Sequence, residues 1–104
     1  MAKYPVIVRG TTPTHTFNIP VDAELVEEIC ITYSQNDKEI FTRETYDCEV
    51  VGNQISTTLT QANTRALNHK LICAIQCFFK TTDGLVYGSD SNYVKVMNGL
   101  NKEI

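Results

Sequence analysis

Short segments in which every second residue is apolar recur along the whole chain, and turn-forming residues separate them. The clearest lies within 24–35, where Ile29, Ile31 and Tyr33 alternate with Cys30, Thr32 and Ser34. Successive side chains of a strand point to opposite faces, so this period of two predicts strands that are buried on one side. Further segments of this kind lie at 4–9, 14–19, 38–46, 47–52, 54–60, 70–81 and 85–98.

This pattern predicts an all-β fold, namely an antiparallel β-sandwich of about seven or eight strands and of immunoglobulin-like size. We expect at most one short helical turn, over residues 61–67, with Thr60 as its N-cap. Residues 21–30 approach helical spacing, but we expect a loop or single turn that enters a strand near residue 26. The sequence has no Trp, so the hallmarks of an antibody domain are missing. A length of 104 residues fits one domain spanning 1–104.

Turn residues divide the predicted strands. The residues QND at 35–37 and the pair Gly52-Asn53 each predict a hairpin between the segments on either side. The sequence TTDG at 81–84 predicts a further turn, and Gly88-Ser89-Asp90 interrupts the last strand. The run at 71–79 is the most apolar, with its shared face formed by Leu71, Cys73, Ile75, Cys77 and Phe79.

The charge and hydropathy pattern excludes two classes of partner. The net charge is −3 and no basic run occurs, whereas a phosphate backbone requires clustered Lys and Arg. No segment approaches the roughly 20 apolar residues of a membrane span, and the N-terminus lacks the apolar stretch of a signal peptide. We therefore expect no nucleic acid and no membrane as partners, and synthesis in the cytoplasm.

The four cysteines, at 30, 48, 73 and 77, raise the question of disulfides or zinc. Without a secretory signal, disulfides are not the default expectation. Cys73 and Cys77 have a spacing that zinc sites use, but on a strand their sulfurs would be roughly 13 Å apart. We expect small buried thiols that fill the core.

The sequence offers no catalytic constellation. His15 shares a strand face with Phe17 and Ile19, and we expect a structural residue whose ring nitrogen bonds a nearby backbone group. We expect His69 to be exposed beside a turn. The carboxylates at 24–28 and 37–49 lack the spacing of a calcium loop, and no nucleophile elbow or phosphate-binding loop occurs. We predict no enzyme, no cofactor, and no catalytic, cofactor-binding or metal-binding residues.

Protein contact is the function that such a sandwich most often serves, through loops or open strand edges. Phe78 and Phe79 point to opposite faces, so one of them is expected to cover a second apolar surface or an interface. The terminal run 91–97 and the first short strand are the expected edges, with Lys95 and nearby prolines as edge protection. Self-association into a homo-oligomer stays open.

Several motifs together resemble a group of small, uncharacterised proteins from prophages of gut Firmicutes. The group shares an R-G-T-T-P-T-H-x-F start, an I-T-Y-x-Q strand, an L-T-Q-x-x-T corner and a T-x-G hairpin. The resemblance covers nearly the whole chain and departs from the group at the cysteine-rich strand 71–79. The matching residues are Arg9, Gly10, Thr11, Thr12, Pro13, Thr14, His15, Phe17, Ile31, Thr32, Tyr33, Gln35, Leu59, Thr60, Gln61 and Thr64.

The resemblance implies a structural or assembly module of a phage tail or baseplate, with other virion subunits as partners and the virion as its location. It brings no catalytic residues. One alternative is a carbohydrate-binding or host-surface adhesion module, which requires exposed aromatic residues beside loop carboxylates. A second alternative is a small metal-dependent hydrolase, which requires His15 or His69 beside carboxylates or thiols in a pocket.

Overall fold

The alternating segments form nine strands and one short helix in the computed structural model, which describes residues 5–99. Single 3-10 turns at Ala23–Leu25 and Thr45–Asp47 precede two of the strands. The strands are β1 (Val6–Val8), β2 (Thr14–Asn18), β3 (Val26–Gln35), β4 (Lys38–Glu44), β5 (Cys48–Val51), β6 (Gln54–Thr58), β7 (Cys73–Thr81), β8 (Val86–Gly88) and β9 (Asn92–Met97), and the helix is α1 (Gln61–Arg65).

The strands form two sheets that enclose one core. The larger sheet has the order β1-β9-β7-β3-β4, with β8 also paired to β7, and the smaller sheet has the order β2-β6-β5. The predicted all-β sandwich is confirmed. It has nine strands because the last segment is divided into β8 and β9. It also differs from the prediction in the 3-10 turn at Thr45–Asp47 and in the parallel pairing of β1 with β9.

The strand β3 explains how the alternation builds the core. It pairs with β4 on one side and β7 on the other, so its inward side chains are covered completely. Ile31 and Tyr33 are fully buried, as the alternation predicts. Residues of both sheets complete the core, among them Ile7, Ile55, Leu59, Cys73, Ile75, Cys77, Phe79, Val94 and Val96.

The two predicted hairpins are confirmed, and their turns fix the register. Asn36 and Asp37 join β3 to β4 with φ of 53° and 62°, the pattern of a type I′ turn. Gly52 opens the β5–β6 turn at φ 60°, a conformation that glycine adopts without steric cost. Both turns match the right-handed twist of the strands that they join.

The helical elements are as short as the sequence indicated. The segment that approached helical spacing forms only the turn Ala23–Leu25, and β3 begins at Val26, as expected. Thr60 caps α1, because its Oγ1 accepts a hydrogen bond from the Asn63 backbone N–H at 3.0 Å. No helix within residues 5–99 has the length and apolar character that crossing a membrane requires.

Two predictions about the strands are wrong: one concerns the open edges of the larger sheet, and the other concerns the buried face of β7. The run 91–97 is not an open edge, because β1 covers it: the Lys95 backbone N–H donates to the Pro5 carbonyl at 2.8 Å. Only β1 of the two predicted edges is an edge of the larger sheet. Leu71 lies ahead of β7 in an exposed loop and so does not share the buried face of that strand. Tyr4, the first residue of the predicted segment 4–9, lies outside the described residues.

Candidate functional site

The RGTTPT motif and the LTQ corner meet at one end of the sandwich. Thr64, which is fully buried, accepts a hydrogen bond at Oγ1 from the Gly10 backbone N–H and donates to the Thr11 carbonyl, each at 2.9 Å. Gln61 donates from Nε2 to the Gly10 carbonyl at 3.1 Å. These side chains therefore satisfy the backbone of the segment that leads into β2.

Arg9 extends this network to Asn98, the residue that follows β9. Its guanidinium donates to Asn98 Oδ1 at 2.8 Å and to the Arg65 carbonyl at 2.9 Å. The carbonyl lies at the end of α1, which a cation stabilises. The motif residues thus hold the β1–β2 segment, α1 and the residue after β9 together, which is a structural role.

His15 lies inside the sandwich, as the sequence predicted, but its partner is a side chain. Its Nδ1 is 2.6 Å from the hydroxyl of Tyr33, so the predicted backbone partner is wrong. Burial lowers the pKa of His15 below the usual 6.5 and raises that of Tyr33 well above its usual range. The pair is uncharged at neutral pH and joins the smaller sheet to the larger one.

Gln35 uses its whole amide to fix the loop before β7. Its Nε2 donates to the carbonyls of Asn68 and Leu71, at 2.8 and 3.0 Å, and its Oε1 accepts from the Asn68 backbone N–H at 2.8 Å. The side chain is buried and all these groups are paired. This residue of the I-T-Y-x-Q motif is therefore also structural.

Arg43 is an inward-facing charge that the sequence reading missed. Its guanidinium donates to Thr57 Oγ1, Asn63 Oδ1 and the Thr58 carbonyl, at 3.0–3.1 Å. It also lies 3.9 Å from the carboxylate of Asp47. Arg43 alternates with Phe41 on β4, and this register was the available signal that it faces inward.

The cysteines divide into two kinds. Cys73 and Cys77 are buried on the inward face of β7, where burial raises the pKa of each thiol to about 11. They fill the core, as predicted. Cys30 and Cys48 are half-buried, and Cys30 faces outward, so the same prediction is wrong for it. All four are free thiols.

The other candidate positions do not assemble into a reactive site. His69 is exposed, as predicted. Within the described range 5–99, no group of three or more His, Cys, Asp and Glu is placed to hold a metal ion. In the segment GSDSN at 88–92, Ser89 accepts two hydrogen bonds. Its Oγ accepts from the Cys77 backbone N–H at 2.9 Å, and its carbonyl accepts from Gln76 Nε2 at 2.8 Å. That segment joins β8 and β9 to the middle of β7.

The outward face of the larger sheet carries exposed apolar side chains. Phe78 is 36% exposed on this face, whereas Phe79 is buried in the core. Gly88 lies opposite Phe78, and a Cβ there would be 3.0 Å from the Phe78 ring. The ring lies over the glycine beside an open groove of about 420 Å³. The exposed apolar residues of this face are Val6, Phe78, Val86, Tyr93 and Met97.

The outward face of the smaller sheet is polar. Thr14 pairs with Thr58, Thr16 with Ser56 and Asn18 with Gln54 across β2 and β6. Glu49 and Val51 are the outward residues of β5. The two outward faces of the sandwich therefore differ in chemistry, and each is a candidate for a different kind of contact.

The positions that the sequence analysis singled out therefore do not gather in one pocket. His15 is inside, His69 is on an exposed loop and Phe78 is on the outward face of the larger sheet. Comparison with the models of known protein families gives no match for this chain, and comparison with curated protein sequences gives none either.

Proposed function

We propose that this protein is a structural module of a phage tail or baseplate, and that it acts by binding another virion subunit. The outward face of the larger sheet makes the contact. The observation that carries this proposal is the concentration there of the five exposed apolar side chains named above. Interfaces place apolar and aromatic side chains at their centre, where water is excluded.

Three of these side chains form one contiguous patch, the β1/β9 patch, which consists of Val6, Tyr93 and Met97 with Lys95 between them. Each apolar member is 47–50% exposed. Tyr93, Lys95 and Met97 follow one another at every second position of β9, and Val6 is the register partner of Lys95. Neighbours in such an arrangement are about 5–7 Å apart, so one partner surface contacts all of them.

The positive charge of Lys95 indicates which kind of partner the patch binds. Lys95 is exposed at its centre, and a symmetric contact of the patch with a second copy would bring two lysines together. Like charges that face each other in an interface are unfavourable. The occupant we propose is therefore a different subunit, with an apolar surface that carries a carboxylate opposite Lys95.

Two further considerations support this function. The resemblance to small prophage proteins supplies the phage context. The sheet orders β2-β6-β5 and β9-β7-β3 correspond to strands B-E-D and G-F-C of immunoglobulin-like sandwiches, which we propose as the finer description of the fold. This second point is an analogy of fold and carries no residue roles.

The test is co-expression of the full chain with the products of the genes that flank it, followed by size-exclusion chromatography. We expect one of these proteins to co-elute with the chain. Val6→Ser and Tyr93→Ala should each weaken the complex by at least tenfold. The matched variants Val51→Ser and Tyr46→Ala alter the same residue types on other surfaces and should leave it unchanged.

Three outcomes would contradict the proposal. One is a strict monomer that retains none of the flanking products and is missing from purified particles by immunogold labelling. Another is a homodimer that Val6→Ser dissociates, which would place a second copy on the β1/β9 patch. The third is a complex that is equally sensitive to Val51→Ser, since this residue lies on the opposite face.

A further inference from the structure

The polar face of the smaller sheet has ordered hydrogen-bonding groups. Thr14 and Thr58 share a hydrogen bond of 2.8 Å, Thr16 and Ser56 one of 3.1 Å, and Gln54 Nε2 donates to Asn18 Oδ1 at 3.0 Å. Each hydroxyl and amide keeps further donor or acceptor capacity that points to solvent. The cross-strand bonds fix where these groups lie before any ligand arrives.

Tyr46 lies at one corner of this face and is 100% exposed. It belongs to the turn Thr45–Asp47 between β4 and β5, and the turn is held by a capping box in which the Glu44 backbone N–H donates to Asp47 Oδ2 at 3.0 Å. The ring is not covered by any of residues 5–99, so its position contributes nothing to the core. A large aromatic ring held in solvent by an ordered turn is available to a ligand.

A depression of about 480 Å³ lies beside Tyr46. It combines an aromatic ring, hydroxyl groups and two carboxylates. Asp47 already accepts a hydrogen bond from Glu44, whereas Glu49 is exposed on β5. The lining residues are Thr14, Tyr46, Asp47, Cys48, Glu49, Ser56 and Thr58.

We propose that this depression is a binding site for an uncharged glycan. A pyranose ring has a face of C–H groups, which stacks on an aromatic ring, and an edge of hydroxyls. Tyr46 takes the C–H face. The sugar hydroxyls form hydrogen bonds with the hydroxyls of Thr14, Ser56 and Thr58. They also donate hydrogen bonds to the carboxylate of Glu49, which acts as an acceptor.

The charge and composition of the site restrict the class of ligand that it can bind. Asp47 and Glu49 disfavour sialylated, sulfated or phosphorylated sugars, because like charges repel. A protein ligand fits less well, since Val51 is the one large exposed apolar residue on the outward face of the strands β2, β5 and β6 among residues 5–99. The inference concerns the opposite face from the proposed subunit contact and does not depend on it.

The experiment is an array of neutral oligosaccharides built from hexoses and N-acetylhexosamines, probed with the labelled full chain. Sialylated and phosphorylated glycans form a separate arm. We expect binding to members of the neutral set, followed in solution by ¹⁵N chemical-shift changes confined to residues 14–18 and 45–58. Tyr46→Ala should reduce the affinity at least tenfold and Glu49→Gln severalfold, while Tyr93→Ala should leave it unchanged.

The outcomes separate this proposal from its competitors. Binding to no glycan, binding that Tyr46→Ala retains, or binding confined to the anionic arm would each overturn it. If the chain binds no glycan and Tyr46→Ala abolishes its binding to a flanking gene product, the site is a protein contact instead. Because Tyr46 is fully exposed, its replacement should not change the urea midpoint, and that measurement shows that the variant is folded.

Discussion

His15 and Tyr33 belong to different sheets, and the hydrogen bond of 2.6 Å between them joins the two halves of the sandwich inside the core. Tyr33 also stacks on Phe41, with ring centroids 4.5 Å apart. One phenol therefore connects β2, β3 and β4. We therefore expect the hydroxyl of Tyr33 to contribute more to stability than that of the fully exposed Tyr46.

Tyr33→Phe should lower the free energy of unfolding by about 1–2 kcal/mol, because it leaves the half-buried Nδ1 of His15 without its partner. The measurement is urea denaturation at neutral pH. Tyr46→Phe is the matched control, since it removes the hydroxyl of a fully exposed side chain and should have almost no effect. Equal effects of the two changes would contradict the role assigned to the pair.

The same pair predicts a pH dependence. Burial lowers the pKa of His15 in the folded protein below the usual 6.5, so the unfolded chain binds a proton more readily than the folded one. This contribution to stability is complete above the unfolded pKa and is lost as the pH falls below it. The difference in unfolding free energy between the wild type and His15→Gln should therefore shrink from about pH 7.5 to pH 5. Parallel curves for the two proteins would exclude this contribution.

Arg43→Met should cost about 2–3 kcal/mol, because it removes charged hydrogen bonds to Thr57 and Thr58 while keeping the apolar stem. Lys38→Met on the same strand is the control, since Lys38 is exposed and its loss should stay within about 0.5 kcal/mol. Urea denaturation at one pH measures both. A loss for Arg43→Met no larger than the control's would show that the guanidinium is not a structural link.

The β3–β4 turn can be improved. Asp37 has a φ of 62°, and Asn-Gly is the preferred pair in a type I′ turn. Asp37→Gly should therefore raise the free energy of unfolding by about 0.5–1 kcal/mol. Glu39→Gly, two residues later and within β4, should lower it instead, because glycine weakens a strand interior. A thermal melt of each variant is sufficient, and a destabilised Asp37→Gly would contradict the turn assignment.

The structural features that could be predicted from the sequence are those that a few adjacent residues determine. The alternation of Ile29, Ile31 and Tyr33 and the turn at Asn36 depend on a few adjacent positions, and both were read correctly. The partner of His15 depends on packing between two sheets, so nothing near it in the chain indicates Tyr33. The inward direction of Arg43 was missed because a charge on a strand is usually solvated.

The candidate surfaces were likewise predictable only where adjacent residues determine them. The opposite orientation of Phe78 and Phe79 is visible in the sequence, because adjacent strand residues face opposite ways. The β1/β9 patch is not, since Val6 and Lys95 are joined only by the register of two distant strands. Tyr46 and Glu49 become neighbours of Thr14 and Thr58 only when β2, β5 and β6 form one sheet.

The parallel pairing of β1 with β9 has a mechanical consequence. The strands run in the same direction, so a tension applied between Val6 and Met97 slides one along the other instead of peeling them apart. The bonds from Lys95 to Pro5 and from Arg9 to Met97 then share the load and must yield together. In single-molecule pulling, force along this direction should meet much greater resistance than force that separates β1 sideways from the sheet.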